Sequence, residues 1–194
     1  QEALGFSSPL WAHLPLILGS DRSKLSKRHG ATAVSEYRAD GYLPETLINF
    51  IAFLGWNPGG EREIYSLASL IKEFSLERVQ KGGAAFNFKR LDFLNGFYIR
   101  QRSIEKLTEL CIPYLAKAGF IEKIKEEQSK YKIKETGEMA GVDWLQKIIL
   151  LYQERLKKLS EIIELTDFFF KDKLEYPKEM LKWRETNEKD LSFA

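Results

Sequence analysis

The chain has little sulfur or imidazole to work with. Among its 194 residues there is one cysteine, Cys111, and there are two histidines, His13 and His29. A lone thiol cannot close an internal disulfide, and these three residues lack the spacing of a zinc site, so no structural metal is predicted. Long apolar runs are missing as well. The longest, Leu47 to Leu54, is interrupted by Asn49 and falls well short of the roughly 18 residues needed to span a bilayer. Net charge is nearly absent, at +2 with 30% charged residues of both signs, so global electrostatics neither requires nor excludes a nucleic-acid partner. The opening Gln1-Glu2-Ala3-Leu4-Gly5-Phe6 has neither the basic start nor the apolar centre of a secretory signal. These absences predict a cytoplasmic protein with no membrane contact, and a first residue other than Met predicts a piece of a longer chain.

What charge there is has been placed, not spread. Arg22, Lys24, Lys27 and Arg28 face one neighbouring acid, Asp21, in a stretch that closes on His29-Gly30. The run Leu14-Pro15-Leu16-Ile17-Leu18 before it ends in Gly19-Ser20-Asp21, the pattern of a buried strand passing into a turn. A loop of cations around Ser26 with backbone N–H groups beside a glycine is chemistry suited to phosphate. The strongest candidate within it is Lys27, which could meet the negative charge that develops on a departing pyrophosphate.

Helical spacing takes over after Ala33. Pro44 suits a first helical turn, with Leu47, Phe50, Ile51 and Leu54 following at intervals of three and four and Gly55 as a stop. Ser66, Ser75, Asn87 and Ser103 each suit the start of a further helix, and Asn95-Gly96 reads as the end of the one that Asn87 begins. Residues Ile121 to Glu135 mix five lysines with four glutamates, which predicts a solvated helix or connecting arm. A long helical block is expected from Asp143 to about Leu165, and Pro177 marks a later start. Tyr131, Trp144, Tyr152 and Phe168 are of the residue type that stacks on unpaired bases, but Trp144 and Phe168 lie on apolar helical faces that suit core packing. Four cations, Lys89, Arg90, Arg100 and Arg102, fall within fourteen residues and are candidates for nucleic-acid phosphates.

Several stretches resemble glutamyl-tRNA synthetases of bacterial and organellar type, which are class I aminoacyl-tRNA synthetases. They are His13-Leu14-Pro15-Leu16-Ile17-Leu18-Gly19, Lys24-Leu25-Ser26-Lys27-Arg28-His29-Gly30, Glu36 through Glu45, Asn49-Phe50, Leu54-Gly55-Trp56, Phe86-Asn87, Lys89-Arg90-Leu91 and Leu94 through Arg100. The basic loop is similar to the family's second signature, the mobile Lys-Met-Ser-Lys-Ser element. Asn87 stands where the family commonly has Asp and Phe93 where it has Trp, and the family's first signature, a His-x-Gly-His type turn, does not occur.

The resemblance implies ATP-dependent ligation of L-glutamate to tRNA(Glu), with Mg²⁺ accompanying the ATP. It implies that Lys24 and Lys27 are catalytic and that Lys24, Leu25, Ser26, Lys27 and Arg28 form the ATP-binding loop. The expected fold is mainly α. Residues 1–33 would be a strand-and-loop end of a catalytic α/β domain, 34–102 a helical stem-contact domain and 103–194 a helical anticodon-binding domain. A monomer is expected, and the chain alone is expected not to form adenylate. Two other readings stand beside this one: a non-catalytic helical RNA-binding module, and a glutaminyl-tRNA synthetase. The His29-Gly30 ending and the helical downstream pattern favour the glutamyl type over the latter.

Overall fold

The computed structural model describes residues 1–30, 33–124 and 129–174. Among them are seven α-helices: α1 Val34–Asp40, α2 Pro44–Ala52, α3 Leu67–Glu73, α4 Phe88–Arg100, α5 Ile104–Lys117, α6 Val142–Tyr152 and α7 Ile162–Thr166. Five short strands accompany them: β1 Ile17–Leu18, β2 Ala84–Ala85, β3 Ile121–Lys123, β4 Lys130–Ile133 and β5 Met139–Gly141. The fold is mainly α, and the start expected at Pro177 lies outside the described residues.

The helix starts follow local chemistry. Ser66, Asn87 and Ser103 each accept, through a side-chain oxygen, the backbone N–H of the residue three further on, which satisfies a donor the first turn leaves without a partner. Pro44 opens α2, where its missing N–H costs nothing. The Glu36 carboxylate reaches back to the Ala33 N–H at 2.8 Å to begin α1, and Gly41, at φ 92°, ends it in the left-handed region.

Several expectations fail, burial of the apolar run before the basic loop among them, since Leu14, Leu16 and Ile17 are exposed. Gly96 does not end a helix, because α4 runs on to Arg100. Its role is packing: a Cβ there would lie 3.2 Å from the Leu156 carbonyl oxygen, so the bare backbone admits the chain from the other side of the junction. The block from Asp143 to Leu165 is not one helix either. It stops at Tyr152, and after a turn a 3-10 segment, Leu159–Glu161, precedes α7. The Leu159 N–H donates to Gly41 O at 3.1 Å and the Ser160 hydroxyl to Asp40 O at 2.6 Å, and these tertiary bonds outweigh the local helical pattern.

Finally, the described residues of the lysine-rich stretch from Ile121 contain strands β3 and β4 and no helix. β4 pairs antiparallel with β3 and β5, in a register of Ile121 with Ile133 and Tyr131 with Ala140. Lys130, Tyr131, Lys132 and Ile133 alternate exposed and buried, the two-residue period of a strand with one wet face. Their apolar members enter the largest core, which joins Leu107, Cys111 and Leu115 of α5 to Leu145 and Ile149 of α6, Ile162 of α7 and Phe170.

A second cluster gathers Tyr37, Tyr42, Phe50, Phe86, Leu91 and Leu94, with Leu25 packed against it. A third joins Trp56, Tyr65 and Leu70. Leu43, at the start of α2, belongs to the largest cluster, so the chain just after α1 is packed into the same core as α5 to α7. The Asn95 amide fixes this junction. Its oxygen accepts from the Leu43 N–H and the Thr46 hydroxyl, both at 2.9 Å, and its nitrogen donates to Gly41 O at 3.1 Å and Lys157 O at 2.5 Å.

Candidate phosphate-binding loop

β1 is the platform from which the basic loop leaves. It pairs in parallel with β2, Ile17 opposite Ala84 and Leu18 opposite Ala85, and Leu18 O accepts from the Phe86 N–H at 2.7 Å. The chain then turns tightly. Arg22 N–H donates to Gly19 O at 3.0 Å with Arg22 itself at φ 62°, and Gly19 N–H donates to Ser23 O at 2.8 Å. Lys24 returns antiparallel to Leu18, and the Leu25 N–H closes on Ile17 O at 2.9 Å. A 3-10 turn, Lys27–His29, follows, ending at Gly30 with φ 120°. At that position a Cβ would come within 3.0 Å of the Phe88 ring.

The expected phosphate residues divide into holders and presenters. Leu25 is half-buried against the aromatic cluster and anchors the loop from below. The Ser26 N–H and hydroxyl both lie 3.1 Å from His29 Nδ1. Arg28 donates through one guanidinium nitrogen to the Ser23 hydroxyl at 3.1 Å. Lys24 and Lys27 are exposed, and neither ammonium has a hydrogen bond or ion pair among the described residues. Both are therefore free to take an anion.

Sequence reasoning passed over the polar frame that holds this loop. Asp21 Oδ1 accepts from the Ser23 N–H at 2.9 Å and the Ser23 hydroxyl at 2.8 Å, and His29 Nε2 lies 3.1 Å away. The Ser23 hydroxyl first, then its N–H and the His29 contact, hold the Asp21 carboxyl well below the usual carboxylate range. The available signal was the Asp-x-Ser spacing, which favours a turn closed by its own side chain.

The four arginine and lysine candidates for RNA do not form one patch. Lys89 and Arg90 sit in the first turn of α4 and Arg100 in its last, about 15 Å apart along the axis at 1.5 Å per residue. Lys89 is exposed. Arg90 pairs with Glu63 at 3.0 Å and lies over the Phe53 ring at 5.5 Å. Arg100 is 4.0 Å from Glu154, and Arg102 is paired with Glu45. Of the aromatic candidates, Tyr131 is buried and Trp144 meets the Phe170 ring edge-on at 5.6 Å, while Phe168 is exposed.

Residues 1–93 match the family model for the catalytic domain of class I tRNA synthetases (E and Q), and residues 106–193 match an anticodon-binding domain. The chain belongs to the class I tRNA synthetases, on the glutamate branch of the family. It is 47% identical over 181 residues to the glutamate–tRNA ligase of Desulforamulus reducens, covering 93% of this chain and 35% of that protein. It is 45% identical over 185 residues to glutamate–tRNA ligase 1 of Caldicellulosiruptor saccharolyticus, covering 93% and 36%. Among solved structures it resembles a glutamate tRNA ligase from Elizabethkingia meningosepticum in complex with its amino acid, with TM-score 0.71 and 31% identity, covering 98% of this chain and 38% of that one. The chain thus spans little more than a third of the length of the curated relatives it matches. Among the described residues no helix is long and apolar enough to cross a membrane, and no group of three or more His, Cys, Asp or Glu side chains could hold a metal ion.

Proposed function

We propose that the chain forms part of a glutamate–tRNA ligase, contributing the loop that handles the phosphates of ATP and the helical units that hold tRNA(Glu). In this reading the carboxylate of L-glutamate attacks the α-phosphorus of ATP, giving glutamyl-adenylate and pyrophosphate. The terminal ribose of the tRNA then takes the glutamyl group and releases AMP. Mg²⁺ enters with the nucleotide, as part of the substrate. Lys24 and Lys27 are the catalytic cations, neutralising the charge that grows on the leaving pyrophosphate. Leu25 anchors the loop, Ser26 fixes its turn, and Arg28 braces it through Ser23.

Residues 1–33 are assigned to the end of the catalytic domain, 34–102 to a stem-contact unit and 103–194 to an anticodon-binding unit. Lys89, Arg90, Arg100 and Arg102 are assigned to the RNA backbone, and the working compartment is the cytoplasm. One observation carries the reading: two exposed lysines with no partner among the described residues are presented by a loop in which Asp21, Ser23, Ser26, Arg28 and His29 hydrogen-bond to one another. The test joins this chain to the remainder of the Desulforamulus reducens relative and measures glutamate- and tRNA-dependent ATP–pyrophosphate exchange. Lys27→Ala is expected to lower the rate by about 10²- to 10³-fold with folding intact, as loss of a donor to a developing anion does. An unchanged rate overturns the role given to Lys27.

A further inference from the structure

His29 ties the strand end to the turn bearing Lys27, alongside the exposed hydrogen bond from Arg28 to Ser23. Its side chain is 9% exposed, although it sits in a loop of exposed cations. The Ser26 backbone N–H can only donate, and at 3.1 Å it faces Nδ1. That nitrogen therefore keeps its lone pair, and the ring proton resides on Nε2. Nε2 lies 3.1 Å from Asp21 Oδ1 and 3.3 Å from the Ser23 hydroxyl, so the protonated nitrogen meets a carboxylate already held in its charged form.

The ring also packs against bare backbone. A Cβ on Gly19 would fall 2.6 Å from Cδ2 and 2.7 Å from Nε2 of His29, closer than any side chain could come without displacing the imidazole. Gly19, Asp21 and Ser23 lie at the end of β1, and Ser26 opens the 3-10 turn. A single imidazole thus joins two backbone segments whose relative position sets where the lysines stand.

We propose that His29 is a positioning residue for the phosphate loop: as the Nε2–H tautomer it pins the Lys27-bearing turn to the strand end, so that Lys24 and Lys27 meet phosphate on a backbone that is already ordered. The inference rests on the phosphate reading of this loop given above. Its physical content is preorganisation, since a loop fixed before the anion arrives loses less conformational entropy on binding.

The experiment uses this chain, with inorganic pyrophosphate as the probe and ¹⁵N-labelled histidine as the reporter. In the unliganded protein at neutral pH, Nδ1 of His29 is expected to resonate as an unprotonated acceptor and Nε2 as a protonated nitrogen. A proton on Nδ1, or rapid averaging between the tautomers, overturns the pin whatever the binding data say. In titrations at low salt, His29→Ala and Gly19→Ala are both expected to weaken pyrophosphate about tenfold, the scale of a lost hydrogen-bond pair. His29→Asn places a carbonyl oxygen near the Nδ1 position and is expected to recover most of that loss, which a merely space-filling role for His29 would not give. Lys27→Ala separates the two ideas. If Lys27→Ala abolishes binding while His29→Ala binds like the parent, the inference fails and the phosphate reading stands. If the parent chain does not bind pyrophosphate, or Lys27→Ala binds unchanged, the phosphate reading fails first.

Discussion

The basic loop and the junction around Asn95 are both built from polar contacts, but in opposite surroundings. In residues 19–30 the hydrogen bonds lie at the surface or half-buried, and Leu25 alone reaches an apolar cluster. At the junction the Asn95 side chain is fully buried, and its amide meets four partners drawn from the α1–α2 connection, α2 and the segment before α7. A surface network can open and reform at little cost, whereas a buried one holds only if every group is satisfied. The comparison teaches how firmly each part is held: the junction keeps α1 in place from inside the core, while the loop just upstream keeps its shape through contacts at or near the surface.

The largest effect that would break this contrast is at the junction. Asn95→Leu leaves the Lys157 carbonyl, the Leu43 N–H and the Thr46 hydroxyl without their partner and takes one of two donors from the Gly41 carbonyl, and is expected to lower unfolding stability by about 3 kcal/mol or more. Urea denaturation monitored by circular dichroism measures the loss, and pyrophosphate binding by the loop should not change under native conditions. Gly41→Ala comes next. Its Cβ would lie 2.5 Å from Leu159 N and 2.6 Å from Ser160 N at φ 92°, and the combined backbone strain and displaced segment should cost about 2–3 kcal/mol. If either substitution instead changed loop binding and left stability alone, the division between scaffold and loop would be wrong.

Much of the scaffold was legible because its signals are local. A capping oxygen acts within one turn, so Ser66, Asn87 and Ser103 declare their helices regardless of tertiary context. Gly96 misleads because its reason to be glycine lies sixty residues away, at Leu156. The sheet was hidden for a related cause: a strand buried on one side needs only Tyr131 and Ile133 inside, and lysines on the wet face make the same stretch look like a solvated arm. In the loop, the lysines were readable from charge and from the family motif. The Asp21–Ser23–His29 frame was not, because a side-chain hydrogen bond across eight residues depends on a turn the sequence only suggests.

Titration sharpens the comparison further, since the two regions should loosen from opposite ends of the pH scale. Burial among apolar neighbours pushes the Cys111 thiol up to about 12. A raised folded value means the contribution is intact below the thiol's ordinary range and is lost as pH rises through the folded one. From about pH 9 upward, stability should fall by about 1.4 kcal/mol per pH unit from this group. The difference between the parent and Cys111→Ala from pH 9 to 10 isolates the thiol. Asp21 has the opposite sign. Its folded value is lowered, so its contribution is present above the ordinary carboxylate range and is lost as pH falls through the depressed value. Amide exchange at Ser23 and Ser26 should therefore accelerate in acid while the α5 and α6 amides stay protected.

The smallest expected effects concern the cations given to RNA, and there the same division between spent and free groups applies. Arg102 is paired with Glu45 and Arg90 with Glu63, and such partly exposed pairs contribute about 1 kcal/mol or less to stability. An arginine already neutralised by a carboxylate releases few additional counterions when it meets a phosphate. Lys89 is exposed with no ion pair among the described residues, so it has its whole charge to give. For tRNA(Glu) binding measured against salt, Lys89→Ala should flatten the log–log slope by about 0.7 to 0.9, the share of one phosphate contact, and Arg102→Ala by much less. The reverse order would mean that the Glu45 pair opens in the complex, and that a contact read as scaffold belongs with the loop as a group held in reserve for the ligand.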